Sequence, residues 1–202
     1  LNLGNHGNYA CYSFQAIKHL TSVDGGALIL PNEEEYKRAK LLRWYGIDRE
    51  SNRKDFRCED DIPEWGFKFH MNDINATIGL SNLKHVGKII SRHKENAAFY
   101  DKNLEGIKGV TLLDRSSDCE SSFWIYTLKV ERQDDFMSKM KSCNIMVSRV
   151  HERNDKHSCV QQYKTELKNL DSLVNEMICI PAGWWVSDEE RQYIVECMKD
   201  GW

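Results

Sequence analysis

An α/β fold is predicted by three features of the chain. Beyond Gly106 short strands alternate with helices, and every apolar run, such as Ala27-Leu28-Ile29-Leu30, is strand-sized. The third is composition: 41% hydrophobic and 29% charged residues in 202 positions describe a globular chain that can bury one sizeable core, or one core and a smaller satellite. A formal net charge of −3 with acids and bases interleaved argues against a nucleic-acid surface. No run approaches the roughly 20 apolar residues that cross a bilayer, so no membrane partner is expected. Seven cysteines, an odd number with no CxxC pair and no signal-peptide pattern, point to the reducing cytoplasm. The opening Leu1-Asn2-Leu3-Gly4-Asn5-His6-Gly7-Asn8 reads like the interior of a longer protein.

Taken in order, Tyr9 to Phe14 reads as a strand, and Gly25-Gly26 turns the chain into a second at Ala27–Leu30. Lys18 lies on the tight segment between them. Pro31-Asn32 opens a solvent-faced helix with Glu33, Glu34 and Glu35 at the positive end of its dipole, running to about Tyr45 before Gly46. Asp48 to Glu64 is a long polar surface loop. Asn72 or Asp73 caps a core-packing helix in which Ile74, Ile78, Leu83, Val86 and Ile90 recur, continuing towards Tyr100. The remainder reads as a small α/β domain. Its strands fall at Val110–Leu113, Phe123–Val130, Ile145–Val150 and Met177–Ile180, with helices near Asp134–Lys141, over Val160–Asn175 and from Ser187 to Lys199. Ser187 and Glu190 have capping-box spacing.

A lone lysine is ordinarily a surface residue, but Lys18 stands in a compound pattern. Ser13-Phe14-Gln15-Ala16-Ile17-Lys18 is followed by Asp24-Gly25-Gly26-Ala27, placing an amine on a constrained turn where desolvation or nearby positive charge can make it nucleophilic. This run resembles the Schiff-base signature of the DegT/DnrJ/EryC1/StrS family of pyridoxal-phosphate-dependent sugar aminotransferases. The resemblance implies that Lys18 bonds the cofactor and shuttles protons, and that Ser13 binds the cofactor phosphate. Lysine rather than histidine at this position implies transamination rather than dehydration.

A second stretch, Gly66-Phe67-Lys68-Phe69-His70-Met71-Asn72-Asp73-Ile74-Asn75-Ala76, is similar to the family segment that lies at the dimer interface, where its third residue reaches the neighbouring subunit's cofactor phosphate. Lys68 stands where many members have Asn, and a cation suits a dianionic phosphate. His70 departs from the more common Arg. Ser148-Arg149-Val150-His151 matches the turn where many members place a sugar-contacting histidine, making His151 a substrate-binding candidate; a surface histidine is its rival. A metal cluster of His151, His157 and Cys159 does not fit the usual zinc spacings, and no metal is expected.

The resemblance runs from about Gly7 onward and corresponds to the C-terminal portion of a family member. It implies an aspartate-aminotransferase-like, fold type I architecture, with the C-terminal part of the cofactor-binding large domain at 1–100 and a small C-terminal domain at 101–202. The implied reaction moves an amino group from an amino acid, L-glutamate in the first instance, to a nucleotide-linked keto-sugar in a homodimer with its site at the interface. A catalytically silent remnant, or a nucleotide-sugar-binding module lacking the other half of the cofactor site, remains the alternative.

Overall fold

A computed structural model describes residues 7–51 and 61–202 of the chain. Cys58, Phe56 and most of the polar loop read at 48–64 lie outside the described residues, as does the opening before Gly7. The chain divides into two compact units, Leu1–Val86 and Gly87–Trp202.

In the first unit, β1 (Ala10–Ser13) pairs antiparallel with β2 (Gly26–Ile29), from Ala10 opposite Ile29 to Ser13 opposite Gly26. Helix α1 (Glu33–Leu42) begins where the Asn32 side chain accepts the Glu35 N–H at 2.9 Å, and it buries no residue. It stops short of Tyr45 because the backbone beyond it is claimed by another segment. The Phe67 N–H donates to the Leu42 carbonyl at 2.7 Å, the Tyr45 N–H to the Phe67 carbonyl at 3.0 Å and the Phe69 N–H to the Arg43 carbonyl at 2.9 Å. Gly66 permits this approach, since a Cβ there would fall 2.5 Å from the Leu42 carbonyl oxygen. Arg38 clamps the same return through two hydrogen bonds to the Glu64 carboxylate, at 3.0 and 2.7 Å.

Helix α2 (Asp73–Leu83) starts at an Asn72 cap, as expected, but it is a helix of its own, separated by Lys84 and His85 from α3 (Val86–Leu104). The expectation of one core-packing helix is therefore corrected. No residue of α2 is buried; Ile74 is 74% exposed and Leu80 70%. The core-packing face belongs to α3, where His93, Asn96, Ala97, Tyr100 and Leu104 are buried at helical spacing.

The second unit is built on an antiparallel sheet in the order β3 (Val110–Leu112), β4 (Tyr126–Val130), β5 (Met177–Ile180). Val110 faces Val130, and Tyr126 faces Ile180. Strand β4 alternates buried Tyr126, Leu128 and Val130 with half-exposed Thr127 and Lys129, the pattern of a strand with one face on the core. That core is completed by Phe136 and Met140 of α4 (Gln133–Ser142), by Ile178 and Ile180, and by Ile194, Val195 and Met198 of α6 (Asp188–Lys199). The capping box at α6 forms as read: Ser187 accepts the Glu190 N–H at 3.1 Å and Glu190 accepts the Ser187 N–H at 2.8 Å.

Two strand readings need correction. Between Ile145 and Val150 only Ser148 pairs, exchanging hydrogen bonds with Cys179 at 3.2 and 2.8 Å. The strand expected from Phe123 begins at Tyr126, because Phe123 has a φ of 50° that extended pairing does not accept. Residues 158–163 form a 3₁₀ turn, and the helix of this region is the segment Lys168–Glu176, α5.

Buried Asn96 and Tyr100 of this unit find partners, while Arg149 Nε and Arg191 Nε are buried without one among the described residues. Asn96 donates to the Gly183 carbonyl at 3.0 Å and accepts from Arg191 at 3.2 Å, while the Tyr100 hydroxyl donates to the Pro181 carbonyl at 2.7 Å.

Candidate active site

Lys18 sits on a turn that the surrounding backbone closes from several sides. Its N–H donates to the Gln15 carbonyl at 3.0 Å. Phe14 anchors the base of the loop, donating to the Gly25 carbonyl and accepting from the Ser22 N–H, both at 2.9 Å. The Ser22 hydroxyl, buried, donates to the Asp24 carbonyl at 2.6 Å, and Thr21 Oγ1 accepts the Val23 N–H at 2.9 Å. Lys18 is half-buried on this frame, while Ser13 at the end of β1 is exposed, its hydroxyl oxygen accepting the Gln15 N–H at 3.3 Å.

Helix α2 fastens the loop from below. Asn82 Nδ2 donates to the Thr21 carbonyl at 2.9 Å and Asn75 Nδ2 to the Asp24 carbonyl at 3.3 Å. Ser22 packs at Gly79, where any Cβ would come within 3.2 Å of the serine side chain. The Ser13–Lys18 stretch and the 66–76 stretch, about fifty residues apart, are thus one structural device. The sequence pattern assigns no role to Asn75 and does not distinguish Asn82. An asparagine that caps another segment's carbonyl leaves no periodic trace in its own helix.

Lys68 lies exposed on the segment that bridges to Trp44, beside His70. The His70 ring stands edge-on to Trp44, 3.9 Å between centroids and 88° apart, with the Arg49 guanidinium over the Trp44 ring at 4.8 Å. Burial pushes the His70 pKa down, and Lys68, Arg49 and Arg43 push it the same way. Its Nδ1 is buried and finds no hydrogen-bond partner among the described residues. Three cations thus surround this imidazole, and only Asp73 opposes them.

His151 belongs to the second unit. It is exposed, with its ring 6.2 Å from that of Trp124, and it lines a cavity with Glu152, Arg153, Leu170 and Val174. Arg153 is held there by Asp155, at 2.7 Å from Nε, and by Asp171. The structure therefore brings Ser13, Lys18 and Lys68 into one unit and His151 into the other. Among the described residues no three His, Cys, Asp or Glu side chains converge as metal ligands.

A half-buried lysine on a braced turn, after a strand ending in serine, is an arrangement that can present an amine to a carbonyl. The chain belongs to the DegT/DnrJ/EryC1/StrS aminotransferase family, which it matches over residues 2–199. Among solved structures it resembles AtS13 from Actinomadura melliaura, with 48% identity and a TM-score of 0.96 over 100% of this chain and 54% of that one. The sugar aminotransferase CalS13 from Micromonospora echinospora is 46% identical, with a TM-score of 0.95 over 99% of this chain and 54% of its own. Among curated relatives, the dTDP-4-amino-4,6-dideoxy-D-glucose transaminase of Shigella dysenteriae is 22% identical over 208 residues, covering 96% of this chain and 53% of the relative. The α/β fold expected of the family is shared along the chain, which spans about half the length of these relatives.

Proposed function

We propose that this chain is the C-terminal portion of a pyridoxal-phosphate-dependent aminotransferase that moves an amino group from an amino acid, L-glutamate in the first instance, to a nucleotide-linked keto-sugar. The observation that carries the reading is Lys18, half-buried on a turn locked by Phe14, Ser22, Asn75 and Asn82. The residues present fit the cofactor: an amine for its aldehyde, the Ser13 hydroxyl and the Lys68 ammonium for its phosphate. When bound, the cofactor would supply an aldehyde carbon that takes up the amino group and passes it on, and a ring that withdraws electrons from the reacting carbon.

The work of the chain is positioning and proton transfer. Lys18 holds the cofactor between turnovers; released from it, the free amine carries a proton to and from the reacting carbon. Ser13 orients the phosphate, and His151 contacts the sugar. In this reading the complete enzyme is a homodimer with two interfacial sites, in which Lys68 binds the partner subunit's cofactor phosphate. Residues 1–100 belong to the large domain and 101–202 to the small one. The six described cysteines are free thiols, which supports a reducing, cytoplasmic setting.

The test is to supply the half that the relatives carry and this chain does not match, fused or co-expressed, and to follow 2-oxoglutarate formation from L-glutamate with a nucleotide-linked keto-sugar as acceptor. Turnover that depends on the acceptor and is lost in Lys18→Ala supports the proposal. Tight binding of the nucleotide-sugar without turnover, at any cofactor concentration, would replace it with the binding-module reading.

A further inference from the structure

Among the described residues, Val23, Tyr45, Phe123, Arg132 and Asn144 carry a φ in the left-handed region without being glycine. Val23, at 73°, is the β-branched one, and a branched Cβ is poorly tolerated there. Its side chain is 54% exposed, so packing of the isopropyl group does little to offset the strain. The compensation comes from its neighbours. Thr21 Oγ1 accepts the Val23 N–H at 2.9 Å and donates to the Phe14 carbonyl at 3.3 Å, while the Ser22 hydroxyl donates to the Asp24 carbonyl at 2.6 Å and Asp24 Oδ1 accepts the Gly25 N–H at 2.8 Å. With the Asn82 and Asn75 contacts to the Thr21 and Asp24 carbonyls, hydrogen bonds hold the chain on both sides of the valine. Glycine stands nearby where space demands it, since a Cβ on Gly26 would fall 2.4 Å from the Tyr12 carbonyl oxygen. At position 23 a glycine would be unstrained, yet a valine is there.

We propose that Val23 is a positioning residue for Lys18, a strained apex that lowers the cost of opening the Lys18 loop. The braced loop holds Val23 in a conformation it would leave if released, so part of the free energy gained from the surrounding hydrogen bonds is spent on the valine. Opening, in which the Ser22 N–H parts from the Phe14 carbonyl and the Val23 N–H from Thr21, recovers that strain. The use of the opening rests on the aminotransferase reading. Lys18 must hold the cofactor between turnovers and then move as a free amine to carry a proton, and a loop closed by a narrow margin permits both.

The test compares the unaltered full chain with Val23→Gly and Val23→Ile by hydrogen–deuterium exchange. Glycine accepts the same φ without strain, so exchange at the Phe14, Ser22 and Gly25 amides, corrected for intrinsic rates, should slow by roughly tenfold in Val23→Gly, with α1 and α2 unchanged. Isoleucine keeps the branch, and Val23→Ile should match the unaltered chain. In the protein completed with the other half of the relatives' length, L-glutamate should clear the borohydride-fixable cofactor from Lys18 about tenfold more slowly in Val23→Gly, again with Val23→Ile like the unaltered protein. Equal or faster exchange at the loop amides of Val23→Gly, slowing that spreads to α1 and α2, or equal clearing rates in all three proteins would overturn the proposal. Cofactor that never becomes fixed on Lys18 of the unaltered protein would instead overturn the aminotransferase reading, and the exchange rates would still decide whether Val23 drives the opening.

Discussion

Lys68 carries the sharpest consequence of the proposed site at the scale of single residues. If it meets a phosphate across a subunit interface, Lys68→Ala in the complete enzyme should weaken cofactor retention by roughly tenfold or more, whereas Lys68→Asn, which keeps a donor, should lose less. Fluorescence titration of cofactor affinity checks this, and two variants that match the parent would remove Lys68 from the site. His93 gives a pH-dependent counterpart in the second unit. It is 2% exposed, its Nδ1 lies 2.7 Å from the Phe123 carbonyl, and burial lowers its pKa below the ordinary histidine value while the hydrogen bond opposes the shift. The unfolded chain then binds the proton more readily than the folded one. This contribution is therefore intact above about pH 6.5 and is lost as pH falls below it towards the folded pKa. Urea midpoints taken downward from neutral pH should fall, and His93→Gln should flatten that slope; equal slopes would contradict the assignment. Lys18, Ser13 and Lys68 can be proposed from the sequence because they sit in contiguous patterns. Asn75 and Asn82 gain their role only from the fold that brings α2 beneath the Lys18 loop.

At the scale of elements, signals at the ends of segments were the most readable. Strand β5 and helix α6 fall where Met177–Ile180 and the Ser187–Glu190 pair placed them, because a capping box fixes a start that periodicity alone leaves open. Ser187→Ala should cost about 1 kcal/mol, within about 0.5–2 kcal/mol, with an unchanged denaturant slope. Where no such signal exists the reading failed. Nothing marks the break at Lys84-His85 with proline or glycine, so α2 and α3 read as one helix. Ile145 to Val150 has strand composition, yet only Ser148 finds a partner. The return of residues 66–69 onto the end of α1 was likewise invisible, since the hydrogen bonds of Phe67 and Phe69 there are to backbone. Gly66→Ala should disrupt it: the added Cβ meets backbone at 2.5 Å on both Leu42 and Gly46. Faster proteolysis between Leu42 and Phe69 in this variant is the expected result, and an unchanged cleavage rate would show that the return tolerates the clash.

At the scale of the whole chain, the apolar surface is unevenly spent. The second unit buries a continuous core, while Leu28, Ile29, Ile74 and Leu80 of the first stand exposed. Surface of this kind, with a two-stranded sheet whose outer edges lack partners among the described residues, should make the isolated chain self-associate. Sedimentation velocity is expected to show concentration-dependent association, and a monodisperse monomer with a cooperative melt would contradict it. The proposed chemistry, however, turns on one amine. With the other half of the relatives' length supplied and pyridoxal phosphate added, borohydride should fix the cofactor covalently, and peptide mapping should place it on Lys18; the cofactor fixed on any other lysine, with Lys18 unmodified, would contradict the account.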